Sequence, residues 1–147
     1  MLALLLTTAC AKGQPAAAPA TQPEAKAPEV FDFVGGLALR AKQPTELAHW
    51  YTEKLGLPVT FEFPGGVAGG FKSGATELAF AIVSADGTHP GSSPGTGYFV
   101  LHVVNFDRFL VDAAARGITP FERTSDAMGR FASFRDPEGN QVGIWGK

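Results

Sequence analysis

Downstream of residue 30, apolar residues recur with two different periods, and each change of period marks a new element. Gly36-Leu-Ala-Leu-Arg-Ala41 reads as a strand. Gln43-Pro-Thr-Glu46 then opens a helix, with Pro44 at its first position and Glu46 where a capping carboxylate belongs. Leu47, Trp50, Tyr51 and Leu55 fall on one helical face, and Gly56 stops the helix. Strand-like segments follow at residues 59–63, 67–71 and 77–83. The same order returns at an offset of about 60 residues. Residues 98–103 form a strand, Asn105 caps a helix carrying Phe106, Phe109, Leu110 and Ala113, and Gly117 ends it. Strands are then expected at residues 118–123, 130–134 and 141–145. Each half is strand, helix and three strands, which predicts an α+β domain with mixed sheets. A Gly-, Pro- and Ser-rich loop at residues 86–97 joins modules spanning about 33–85 and 97–146.

Composition separates this domain, residues 31–147, from what precedes it. All 12 Phe, 2 Trp and 2 Tyr lie beyond residue 30. Residues 11–30 instead hold Pro15, Pro19, Pro23 and Pro28 among Ala, Gln and Lys, the composition of an unpacked tether. A net charge of −2 without a Lys/Arg cluster argues against nucleic-acid binding, which needs a basic footprint. The single cysteine, Cys10, rules out an internal disulfide and a thiolate cluster. It closes the apolar run Met1-Leu-Ala-Leu-Leu-Leu-Thr-Thr-Ala-Cys10, which resembles the end of a bacterial lipoprotein signal peptide, although Thr7 stands where Leu is usual. That resemblance implies lipidation of Cys10 and an extracytoplasmic domain held to the cell envelope by lipid. A periplasmic or secreted protein is the alternative.

The duplicated module, Gly35-Gly36, Leu47-Ala-His-Trp-Tyr51, Leu55-Gly56 and above all Gly129-Arg-Phe-Ala-Ser-Phe-Arg-Asp-Pro-Glu-Gly-Asn140 with Ile144-Trp145 resemble the glyoxalase/bleomycin-resistance/extradiol-dioxygenase family. This is the vicinal oxygen chelate superfamily. The resemblance implies two paired βαβββ modules whose sheets curl into a cup around a ligand. Enzymes of the family hold a divalent metal through His, Glu or Gln on the first and last strand of each module. Here those positions correspond to Gly36, Ala79, Tyr98 and Gly143, so the usual ligands are missing and no metal or other cofactor is expected. Glu77 and His102, on the same strand faces, are the nearest ligand types for a relocated site.

Strand alternation sends Leu37, Leu39, Phe99, Leu101, Val142 and Ile144 toward the helices. It leaves Arg40, Glu77, Tyr98, His102, Gln141 and Trp145 to line the cup among small residues, a lining suited to an organic guest. Arg40 and His102 hold equivalent positions in the two modules and could read an anion together, while Trp145 and Tyr98 could stack on a planar ligand. No Ser-His-Asp or Cys-His arrangement supplies a nucleophile. The first functional reading is a metal-free small-molecule-binding domain, in the manner of the family's drug-sequestering branch, where a homodimer often completes the site. The second is a glyoxalase-like lyase or isomerase, or a dioxygenase, with a relocated metal site. The third is an interaction module with a vestigial cup.

Overall fold

A computed structural model describes residues 35–73 and 76–147. Cys10 and the tether lie outside the described residues. The first module comprises β1 (Gly36–Ala41), α1 (Pro44–Trp50) continued by a π-helical turn (Tyr51–Leu55), β2 (Val59–Phe63), β3 (Gly66–Ser73) and β4 (Thr76–Ser84). The second comprises β5 (Tyr98–His102), α2 (Phe106–Ala115), β6 (Glu122–Ser125), β7 (Arg130–Arg135) and β8 (Gln141–Gly146). Each module forms its own four-stranded mixed sheet, in the orders β1-β4-β3-β2 and β5-β8-β7-β6. In both, the first strand runs parallel to the last and the remaining pairs are antiparallel. The α+β class and the duplicated module are as the sequence predicts.

The alternation read from the sequence decides which face is buried. Leu39, Phe80 and Ile82 of the first sheet and Phe134, Val142 and Ile144 of the second are fully buried, with Leu37, Phe99 and Leu101 packed against them. Tyr51 bridges the modules: its ring lies 5.0 Å from Phe80 and 6.1 Å from Phe99. The two helix-side faces therefore share one core. Burying six large side chains of this kind contributes on the order of 10 kcal/mol before conformational entropy is subtracted.

Local signals hold with three corrections. Asn105 caps α2 by accepting the Arg108 N–H at 2.9 Å, and Gly56 ends the first helical segment with φ +75°, where a side chain would be strained. The N-terminus of α1, however, is capped from the other module. Glu138 accepts the backbone N–H groups of Lys42 and Gln43, each at 3.0 Å. The strand expected at residues 118–123 begins only at Glu122. Ile118 N–H closes the end of α2 on the Ala113 carbonyl, and Pro120 has no N–H to offer a ladder. Finally, the loop at residues 86–97 does not simply cross the surface. It runs along β1, where Ser92 bridges Leu39 and accepts the Arg40 N–H at 3.2 Å.

The Asp136-Pro-Glu-Gly-Asn140 turn locks the modules together. Asp136 and Asn140 are buried polar groups in an otherwise apolar core. One carboxylate oxygen of Asp136 accepts the Tyr51 hydroxyl at 2.8 Å and the Asn140 amide at 2.7 Å. Its other oxygen accepts the N–H groups of Glu138 and Asn140, at 3.0 and 2.8 Å. Asn140 Oδ1 in turn accepts the Gly97 N–H at 2.8 Å, fixing the chain at the start of β5. Desolvation by burial, reinforced by the adjacent Asp136 carboxylate, pushes the Tyr51 phenol far above its ordinary pKa, so Tyr51 stays a neutral donor.

Candidate functional site

Because each sheet turns one face to the core, only its opposite face can present strand side chains to a ligand. On the second sheet, register places Tyr98 beside Gln141, Val100 beside Gly143 and His102 beside Trp145. The next strand brings Phe131 to Trp145 and Ser133 to Gly143. Trp145 is the centre of an aromatic shelf. The His102 ring lies 4.6 Å from it and Phe131 stacks on it at 6.2 Å with planes 21° apart. Its indole N–H donates to the Met128 carbonyl at 3.3 Å, which fixes the ring's orientation. Four of the predicted lining residues, Tyr98, His102, Gln141 and Trp145, thus share one surface. Phe131 and Met128 were not predicted. The signal for Phe131 was available, since it lies two residues before Ser133 and so on the same strand face, opposite the buried Ala132 and Phe134.

The first sheet presents a different surface. Gly36 pairs with Ala79, Ala38 with Ala81 and Gly70 with Ala79 on the other side, a floor of small residues. Phe61 stands exposed at one edge of it, opposite Ala68. Glu77 carries an ion pair with Lys72 at 3.0 Å, and Arg40 donates from its guanidinium to the Gly87 carbonyl of the joining loop. Arg40 Nε is buried without a hydrogen-bond partner among the described residues. Arg40 and His102 lie on different sheets, as do Glu77 and His102, so neither expected pair forms within the single sheet surface. Both surfaces are open in the single chain: Phe61 is 68% and Tyr98 65% exposed.

The donor set does not fit a metal of the kind this fold usually holds. Gly36, Ala79 and Gly143 have no side-chain donor, and Gly143 is buried beneath its neighbours. A Cβ placed on Gly143 would meet Val100 Cγ2 at 3.0 Å and the Tyr98 hydroxyl at 3.6 Å. A ligating side chain at this position would crowd Val100 and lie in contact with Tyr98. Among the described residues no three His, Cys, Asp or Glu side chains converge to hold an ion. The chemistry available on these faces is stacking, apolar contact and a few hydrogen bonds or ion pairs.

Known proteins place this fold. A family model for the Glyoxalase/Bleomycin resistance protein/Dioxygenase superfamily matches residues 34–144. TnmS3, an antibiotic binding protein from Streptomyces sp. CB03234, superposes with a TM-score of 0.65 at 20% identity, covering 79% of this chain and 96% of its own. A lactoylglutathione lyase from Agrobacterium tumefaciens gives 0.62 at 19% identity, covering 79% and 94%. A glyoxalase/bleomycin resistance protein from Catenulispora acidiphila gives 0.56 at 22% identity, covering 80% and 98%. No curated protein matches the chain. At these identities the structural likeness speaks for the fold, and the matched span covers both modules. The chain belongs to the Glyoxalase/Bleomycin resistance protein/Dioxygenase superfamily.

Proposed function

We propose that this domain binds a small planar organic molecule without the metal chemistry of its family, and that it does so at the cell envelope. The observation that carries the reading is the second sheet's face. There an aromatic shelf of His102, Trp145 and Phe131 adjoins Tyr98 and Gln141, and Gly143 between them carries no ligating side chain. Each stacked aromatic contact is worth about 1 kcal/mol beyond the area it buries. Gln141 offers both a donor and an acceptor to the ligand's polar edge. The fold is one on which an antibiotic binding protein is built, which accords with binding of a small molecule. No nucleophile or metal-activated water is assigned, so no reaction is.

A face this open cannot enclose a guest alone. The small-residue floor of the first sheet, with Phe61 at its edge, is the complementary surface. A homodimer that sets one chain's first sheet against the other's second would bury both. Lipidation of Cys10 would hold that dimer to the membrane. Cys10→Ser is expected to release the protein from membrane fractions of the producing bacterium, and unchanged partitioning would remove the anchor from the proposal.

The decisive measurement joins metal analysis to ligand screening on the purified chain. No stoichiometric divalent metal is expected, and one tightly held ion per chain would overturn the metal-free reading. A planar aromatic ligand at a hundredfold excess over its Kd should add about 2.7 kcal/mol to stability. Trp145→Ala should abolish that gain. A ligand response undiminished in this variant would move the site elsewhere.

A further inference from the structure

Behind the sheets, on the outer side of α1, lies a hollow of about 510 Å³ that none of the preceding chemistry uses. Its size is within the range of sites for small organic ligands. One wall is the helix: Leu47 forms a buried floor and Trp50 is half-buried beside it. The other wall is built from Pro94 of the joining loop and Pro137 of the buried turn. The two walls come from different modules, yet they are held in fixed relation. Glu138 accepts two N–H groups at the start of α1, and Asp136 accepts the hydroxyl of Tyr51, the residue after Trp50. Tyr51 also packs edge-to-face against the Trp50 ring, with centroids 5.1 Å apart. The hollow is therefore preformed, which spares a ligand the entropy of ordering it.

Its charge is specific. Glu46 precedes Trp50 by one turn of α1, Glu53 follows it in the π-helical turn, and both carboxylates line the hollow together with the indole. Both are exposed, and neither has an ion-pair partner among the described residues. The remaining charged lining groups do not cancel them. Glu138 already caps the helix, and the Lys54 ammonium is turned to the Arg116 carbonyl at 2.9 Å. Lys42 and Lys54 are the opposing charges and His49 also lines the hollow, so its wall sets the carboxylates of Glu46, Glu53 and Glu138 against two ammonium groups. An aromatic ring sharing a hollow with carboxylates and two prolines is the chemistry that receives an organic ammonium. The ring's negative face and the acids take the charge, while Leu47, Pro94 and Pro137 take the apolar body. We propose that this groove is a second binding site, separate from the sheet faces, for an organic cation with an apolar body.

The chain's 2 tryptophans make the test direct, because Trp50 reports on the groove and Trp145 on the sheet face. Their indole N–H signals in a nitrogen-proton NMR spectrum, assigned through Trp50→Phe, are followed while benzyltrimethylammonium is added. Benzyl alcohol and benzenesulfonate serve as the neutral and anionic analogues. The Trp50 signal is expected to shift saturably with the cation alone, and Glu46→Gln with Glu53→Gln should weaken that binding about tenfold. Added salt should weaken it in the unaltered chain as well, a readout independent of whether the double variant folds. No saturable shift of Trp50, an equal shift with the anion or alcohol, or an affinity indifferent to both salt and the double variant would each overturn the proposal. A shift confined to Trp145 would do the same while leaving the sheet-face reading intact.

Discussion

Asp136→Ala is expected to cost about 3–5 kcal/mol in urea denaturation, a large share of the roughly 5–15 kcal/mol available to a domain. The carboxylate accepts from four donors, Tyr51 Oη, Asn140 Nδ2, Asn140 N and Glu138 N, all within 3.0 Å. Removing it strands donors in a core where each unmade bond costs about 1–3 kcal/mol. Asp136→Asn should also destabilise, because an NH₂ in place of Oδ2 would face the Asn140 amide, whose own oxygen is committed to Gly97. In a double-mutant cycle with Tyr51→Phe, the Asp136 effect should shrink, since the phenol is one of the stranded donors. A loss below about 1 kcal/mol for Asp136→Ala would mean that the turn is not the lock between modules. The same bond has a pH signature. The Tyr51 pKa is raised in the folded state above its ordinary 10.0, so the folded chain holds this proton more tightly than the unfolded chain. Its contribution is complete below pH 10 and is lost as pH rises beyond it, and Tyr51→Phe should flatten that alkaline loss.

Gly69→Ala should be as damaging for a different reason. A Cβ there would lie 1.6 Å from the Pro58 carbonyl oxygen and 2.7 Å from Val59 Cα. Both are backbone atoms, so no side chain can rotate away. The pairing of β2 with β3 shifts register between Val59 and Phe61, and this irregularity brings the start of β2 onto Gly69. An alanine must push β2 off the sheet, at about 4 kcal/mol or more. Gly117→Ala is the control. Nothing lies within 4 Å of its Cβ, and only its φ of +79° resists a side chain, for about 1 kcal/mol. Equal losses at the two sites would show that backbone crowding at Gly69 is not what requires glycine.

The candidate site was partly legible in the sequence because a strand's alternation assigns faces without knowledge of partners. That is why Tyr98, His102, Gln141 and Trp145 could be assigned to one side of their strands, whereas the ligand-free positions Gly36, Ala79, Tyr98 and Gly143 came from the family resemblance. Pairing across modules was not legible. Arg40 looked equivalent to His102 by position, but its guanidinium is held by a loop carbonyl at Gly87, 47 residues away. Nothing in the local pattern of the Asp136-Pro-Glu-Gly-Asn140 turn disclosed a hydroxyl 85 residues upstream. The helix cap from Glu138 was hidden for the same reason, since capping rules look only a few residues along the chain.

The residues alone determined the duplicated module, the helix ends at Asn105 and Gly56 and the buried stripe of each strand. These follow from local sterics and from a period of two or 3.6, which act over a few residues. Tertiary structure alone decided that the two sheets stay separate and open, that Asp136 joins the modules through Tyr51, and that Trp50 faces prolines from two distant segments. Those outcomes depend on which buried polar groups find partners once the apolar faces have met, and burial makes such choices only after the chain has brought distant residues together.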